Sequence, residues 1–296
     1  MPLLSALHPR PEAVLRDAEV DATHYVGRGA RRMLACAAAA RYLDAAADHP
    51  PTAAVVVPPD LVSRVPERLG VVVDDDPEIA FYRLHNRLAE TGWQVEVTPG
   101  VHPTASIHPT AWVEDGCRIG PGVVIEAGAL IHARTVIGEN ALICSGAILG
   151  GEGQVNRRRG DLRLRAAHVG GVRIGPGSEI LSGVIIQRAT FEEFTEVGAR
   201  CVLTSGVKLA HGVRVGDDVS MGMGAQVSGY STIGDGAWLG PGAVVSSLVD
   251  VGAGARVEIG AVLVRSIPPD SRHSGLFARS HARMRAMSEA LARLGR

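Results

Sequence analysis

The chain has 296 residues, a formal net charge of −1 and 46% hydrophobic residues. It is long enough to bury a sizeable core, and too nearly neutral for the basic field that nucleic acid or an anionic membrane would require. Aromatics make up only 4% of a chain with 36 glycines, a balance that suits a thin, turn-rich structure. Cys36, Cys117, Cys144 and Cys201 form no C-x-x-C pair and no Cys/His cluster, so no metal site is expected and reduced thiols in a cytoplasmic protein are.

The start, "MPLLSALHPR", has no basic leader, and "MLACAAAA", between Arg32 and Arg41, is too short to span a bilayer; a soluble protein is predicted. Residues 1–98 read as a small α/β domain that could bind a nucleotide or acceptor. "RRMLACAAAARYLDAAA" is helical by propensity, whereas "TAAVVVP" and "LGVVVD" are strand-like. "DDPEIAFYRLHNRLAE" predicts a helix capped by Asp76, with Pro77 in its first turn and an apolar face of Phe81, Leu84 and Leu88.

From Val101 a six-residue ruler begins. Ile107, Val113, Ile119, Ile125, Ile131, Ile137, Ile143 and Leu149 follow without a miss. The register breaks at "GGEGQVNRRRGDLRLRAAH", resumes at Ile174, Ile180 and Ile186, breaks again at "QRATFEEFTE", and then runs from Val197 to Leu263. A period of six excludes an amphipathic helix and fits short strands joined by turns, three to a coil of eighteen residues. Glycines directly after ruler residues, such as Gly120 and Gly216, are expected to permit the turns. Residues 99–265 are therefore predicted to form a β-helix. The first break carries five arginines between Arg157 and Arg165, which suit a solvated excursion or a phosphate contact equally. Residues 266–296 form an extension with a last helix from about Leu276. Along it Phe277, Met284, Met287, Leu291 and Leu294 make a seam flanked by Arg279, Arg283, Arg285 and Arg293.

Within "SGVKLAHGVRVG", His211 follows the inward-facing Leu209 by two and is expected on the outer surface near a corner, with Lys208, the only lysine of the chain, also facing out. One coil further lies Gly229, so its backbone should stand beside the histidine. A general base with a backbone N–H beside it suits acyl transfer. His168, at the end of the first break, is placed to reach a substrate or to hold a turn.

The six-residue repeat resembles the left-handed parallel β-helix of the hexapeptide acyltransferases. The order of parts, with "VVVDDDPEIAFYRL", "HVGGVRIGPGSEIL", "KLAHGVRVGDD" and "HSG", resembles the bacterial UDP-3-O-acylglucosamine N-acyltransferases of lipid A synthesis. That resemblance implies a homotrimer with inter-subunit active sites, His211 as catalytic base and Gly229 as oxyanion-hole glycine. It implies no bound cofactor, an acyl-carrier-protein thioester (or acyl-CoA) as donor, and a nucleotide-linked amino sugar as acceptor. The basic tail residues Arg279, Arg283 and Arg285 would dock the acidic carrier. The chain departs from the family pattern at several points. Gln187, Arg188 and Ala189 replace an Asp-Arg-Gly motif, Thr204 stands where an aspartate supports the histidine, and Leu248 where a second histidine is found. The uracil-gripping pattern aligns with Tyr25, Arg28 and Arg31, of which only the first is aromatic. A different acceptor is the expectation. An acetyl-CoA-dependent sugar acetyltransferase and a non-catalytic scaffold remain as alternatives.

Overall fold

The computed structural model describes residues 2–29, 31–275 and 279–294, apart from the side chains of residues 291, 292 and 294. The first domain is a five-stranded sheet of β1 (Val14–Arg16), β2 (Ala22–Thr23), β3 (Met33–Cys36), β4 (Thr52–Val57) and β5 (Gly70–Val73), in the order β1-β5-β4-β3-β2. Only the β1–β5 pairing is antiparallel. Helix α1 (Leu4–Leu7) precedes the sheet, α2 (Ala40–Ala47) follows β3, and α3 (Pro77–Glu90) follows β5.

The alanine-rich segment expected to be helical throughout splits in two. Met33, Leu34 and Ala35 are fully buried in β3, and the helix begins only at Ala40. Pairing with β2 and β4 on both sides satisfies the backbone and buries these side chains, which outweighs the few tenths of a kcal/mol per residue by which propensity favours helix. Helix α3 starts as read: the Asp76 carboxylate accepts from the Ile79 N–H at 3.2 Å, and Phe81, Leu84 and Leu88 are buried.

From Gly100 the chain winds as a left-handed parallel β-helix whose three faces are parallel sheets of nine, eight and eight strands. Neighbouring coils pair in a register of eighteen, as Val124 with Leu142 and Leu209 with Val227. From Ile119 to Leu263 no ruler residue is more than 8% exposed, whereas Val101, on the terminal coil, is 54% exposed. The coil continues past the expected end at 265, through an Ile267 bridge to a strand at Arg272–His273.

The glycines after ruler residues serve a purpose other than turning. A Cβ on Gly175 would lie 2.4 Å from the Gly198 carbonyl carbon of the next coil, so a side chain there is excluded by coil stacking. The turns are made further along by residues of positive φ, such as Gly212 at 68°.

The two breaks leave the ruler intact. Ile143 pairs with Ile180, 37 residues on instead of eighteen, so nineteen residues are inserted. Ile180 pairs with Leu203, 23 residues on, so five are inserted. The first insert is a β-hairpin, Asn156–Arg159 against Leu162–Arg165. It is largely exposed, as a solvated excursion would be, but it is tethered: Arg157 is held by Glu78 at 2.5 Å and Arg159 by Asp76 at 2.6 Å, both at the start of α3. The second insert drives Phe191, fully buried, into the aromatic cluster of Tyr25, Phe81 and Tyr230. Both breaks thus fasten the first domain to the β-helix. Phe191→Ala is expected to cost about 3–5 kcal/mol. In urea the first domain should then melt ahead of the β-helix, and coincident transitions would argue against this role.

Candidate active site

Four levels of one β-helix corner build the site. Leu149, Ile186, Leu209 and Val227 stack as inward neighbours on successive coils. The residues that follow them are Gly150–Gly151, Gln187, Ala210–His211 and Ser228–Gly229. The hairpin leaves the first level, the Phe191 insert leaves the second, His211 stands on the third and Gly229 on the fourth.

His211 lies at the corner outside the inward stack, but it is not freely solvated. The inserts and the first domain close over the corner and leave it only partly exposed, with its Nδ1 buried and without a hydrogen-bond partner. A Cβ on Gly229 would fall 2.6 Å from His211 Nε2. Only glycine therefore fits one coil above the imidazole, as the coil arithmetic requires. Among the described residues the Gly229 N–H has no backbone acceptor, while its carbonyl accepts from Leu248 at 3.1 Å. Tyr230 donates its N–H to the His211 carbonyl at 3.0 Å. Its ring lies 5.5 Å from the imidazole and over Gly212, where a Cβ would meet that ring at 2.4 Å. The Gly212 N–H is held in turn by the Thr195 hydroxyl at 2.9 Å.

His168, at the end of the first insert, comes edge-on to His211 with ring centroids 5.9 Å apart. It is 4% exposed, and neither ring nitrogen has a partner. Burial, helped by the neighbouring His211, pushes its pKa down to about 4. His211 is also held below the ordinary histidine value, by burial and then by the Arg157 charge. The site is therefore built around neutral imidazoles. Tyr230, fully buried with an unpartnered hydroxyl, is pushed well above the usual phenol value by desolvation.

The interdomain contacts keep the same economy of charge. His24 Nδ1 accepts from the Tyr25 N–H, which leaves Nε2–H to donate to Glu193 at 3.0 Å. Arg214 meets the other Glu193 oxygen at 2.8 Å. Burial would raise the Glu193 pKa, but these two partners hold its carboxyl below the usual range. His85 donates from Nε2 to the Ala167 carbonyl at 2.8 Å and accepts at Nδ1 from Thr23, and burial pushes its pKa to about 4.

The other expected site residues are divided. Tyr25 and Arg28 line a cavity of about 660 Å³ between the first domain and Leu248, together with Tyr82, Asp75, Glu78 and Arg159. Tyr25 is also a packing residue, its ring 4.8 Å from Tyr230 and its hydroxyl 3.3 Å from that of Tyr82. Arg31 turns away and pairs with Glu192 at 3.1 Å, outside this cavity. Thr204 lies at the preceding corner, where its hydroxyl donates to the Met221 carbonyl at 2.8 Å, and no hydrogen bond joins it to the His211 ring. Lys208 is exposed on the outer face and is not among the residues gathered round His211. Arg279, Arg283 and Arg285 are exposed, and Arg285 reaches Glu289 at 3.7 Å along α4 (His281–Leu294). Of the seam, Phe277 and the side chains of Leu291 and Leu294 lie outside the described residues. Tyr230 and Gly153 escaped the reading of the sequence, and Gln187 entered it only as a departure from the Asp-Arg-Gly motif. The coil arithmetic that finds Gly229 also places Tyr230 above Gly212, but inserts without a period give no such signal for Gly153.

No helix among the described residues is long and apolar enough to cross a membrane. The buried neutral histidines make stability pH-dependent. The unfolded chain takes up their protons near pH ~6.5, the folded chain only near about 4 for His85 and His168. Stability is therefore complete above the unfolded value and falls as pH drops between the two, by roughly 1.4 kcal/mol per pH unit for each histidine. Urea unfolding at pH 7 and 4.5 checks this: His168→Gln should flatten the slope, and an unchanged slope would contradict it.

The bacterial transferase hexapeptide (six repeats) family model matches residues 116–151. Over 92 residues the chain is 35% identical to the UDP-3-O-acylglucosamine N-acyltransferase of Pseudomonas fluorescens strain Pf0-1, covering 31% of this chain and 26% of that protein. The enzyme of the same description from Shewanella denitrificans is 30% identical over 92 residues, 31% of this chain and 27% of its own length. The matches thus span about a quarter of these relatives. Among solved structures, the UDP-N-acetylglucosamine acyltransferase from Campylobacter jejuni aligns with a TM-score of 0.45 at 24% identity, over 57% of this chain and 69% of that one. The chain thus carries a hexapeptide-repeat match over residues 116–151 and resembles the UDP-3-O-acylglucosamine N-acyltransferases over a 92-residue stretch.

Proposed function

We propose that the protein is an acyltransferase that moves an acyl group from a thioester to the amine of a nucleotide-linked amino sugar, with His211 as general base. The observation that carries this reading is that a Cβ on Gly229 would fall 2.6 Å from His211 Nε2, so the base and the Gly229 main chain lie side by side. The amine nitrogen attacks the thioester carbonyl carbon while Nε2 takes its proton, and the Gly229 N–H donates to the oxyanion that forms. Collapse breaks the C–S bond. The proton held on Nε2 passes to the departing thiolate, leaving an amide and a free thiol. A base of depressed pKa is already neutral at pH 7 and ready to accept. The match to enzymes described as N-acyltransferases supports an amine as the nucleophile.

The cavity between Tyr25, Tyr82, Arg28 and Leu248 is our candidate for the acceptor's nucleotide end; Arg31, Thr204, Lys208 and His168, expected from sequence to touch substrate, do not line it. Its acids, Asp75, Asp76 and Glu78, and the loss of the uracil-gripping pattern favour an acceptor other than UDP-3-O-acylglucosamine. Exposed Arg279 and Arg283 favour a carrier-protein donor over coenzyme A. The exposed apolar residues Met223, Leu248, Ile259, Val262 and Val264 suit a trimer whose neighbours cover them.

Turnover by His211→Ala should fall roughly 10²–10⁴-fold, measured as amide product by mass spectrometry. Undiminished turnover would remove the base. The donor is separated by the double variant Arg283→Glu, Arg285→Glu. A rise in KM for the carrier-linked donor alone, fading with salt, is expected. An equal effect on carrier-linked and coenzyme A-linked donors, or none, would defeat the carrier-docking role.

A further inference from the structure

The ring of His211 has two nitrogens, and proton transfer from the amine uses only Nε2. A base that accepts at Nε2 must carry its proton at Nδ1, and that N–H needs an acceptor to fix the tautomer. The usual solution is a carboxylate, yet among the described residues none hydrogen-bonds this ring, and Nδ1 is buried and bare. Thr204 does not serve, because it lies one corner away, with its hydroxyl on the Met221 carbonyl.

The space beside Nδ1 is bounded by two residues. A Cβ on Gly153, at the root of the hairpin, would lie 2.9 Å from His211 Nδ1 and 2.6 Å from Gln187 Oε1. Both polar atoms therefore border one small gap that exists only because residue 153 has no side chain. Gln187 is placed there by the coil: Ile186 pairs with Leu209, so the residue after Ile186 stands one level below Ala210–His211. Its backbone is registered with Gly151, and Arg188 anchors the same loop by donating its N–H to the Gly151 carbonyl at 2.9 Å.

We propose that Gln187 is a positioning residue, whose Oε1 accepts from His211 Nδ1–H across the gap kept open by Gly153 and leaves Nε2 as the free base. A swing of the flexible glutamine side chain closes the contact. A neutral amide orients the ring without raising its proton affinity, whereas a carboxylate would do both. The other groups facing the ring are Arg157 and His168 from the first insert and Tyr230 from the coil above, while Lys208, on the strand that precedes the histidine, is exposed on the outer face. Burial and the Arg157 charge hold the imidazole neutral, which suits an uncharged partner.

This inference rests on the reading of His211 as a base, and its test is chosen to stand apart from that reading. The full-length protein is labelled with ¹⁵N-histidine and the His211 ring is titrated by NMR in the wild type, Gln187→Glu and Gln187→Leu. The near-isosteric carboxylate of Gln187→Glu should raise the His211 pKa by about one unit or more, as an opposite charge within ~4–6 Å does. Gln187→Leu should let the neutral ring populate both tautomers. Where turnover is measured, the acidic limb of kcat/KM should move up with the titration in Gln187→Glu, and Gln187→Leu should lose roughly tenfold, the worth of one hydrogen bond. A His211 titration unmoved by Gln187→Glu would overturn the proposal whatever the activity. Absence of acyl transfer in the wild type, with the titration moved as expected, would overturn the functional reading and leave the positioning role standing.

Discussion

The coil of eighteen residues is the constraint from which the rest follows. A triangular solenoid has no other way to bury one aliphatic side chain per short strand, so each coil must return its backbone to the same corner. That requirement puts Gly229 against the His211 ring, and it forces any inserted residues to leave and re-enter at one place. Nineteen extra residues in one coil and five in the next are accommodated because Ile174, Ile180 and Ile186 resume the inward stack on the far side. Both inserts leave from the corner that carries His211 one and two levels later. The scaffold's regularity thus positions its irregular parts.

Those inserts change the character of the corner. A bare β-helix would leave His211 wet and its pKa near the ordinary value. Phe191 and the hairpin bring the first domain over it, exclude water, and leave a set of buried polar atoms on His168, Thr190 and Tyr230 without protein partners. Desolvation strengthens whatever hydrogen bonds a substrate brings to such a site and keeps both imidazoles uncharged. The charges that remain nearby are paired, Glu193 with His24 and Arg214, and Glu78 with Arg157 and Arg159. Domain attachment and site chemistry therefore use the same residues, which links the stability of the docked domain to the protonation of its histidines.

Much of this was legible in the sequence where a periodic core dictated it. The ruler from Val101 to Leu263 named the inward residues, and adding one coil to His211 found Gly229. Asp76 and the face of Phe81, Leu84 and Leu88 were readable because capping and amphipathicity are local. Met33–Cys36 was misread because alanine propensity is local, while burial between two parallel neighbours is not. The glycines after ruler residues were assigned to turning, when they are required by the coil above. His211 was rightly placed outside the inward stack, but its cover was missed because the ruler describes a bare prism, and nothing periodic reveals that two inserts fold back over one corner. Arg31 was grouped with Tyr25 and Arg28 by the resemblance to a uracil-gripping pattern, but the loop turns it toward Glu192.

The central claim is that the Gly229 backbone and His211 Nε2 work as one reacting unit. The most direct measurement is single-turnover acyl transfer by Gly229→Ala, with the fold checked by its thermal transition. The added Cβ, 2.6 Å from Nε2 in the present geometry, must displace the imidazole or the turn. The account predicts a rate reduced by about a hundredfold or more, the scale of losing an oxyanion donor, in a protein that still melts cooperatively. A variant that transfers acyl groups at the wild-type rate would contradict it.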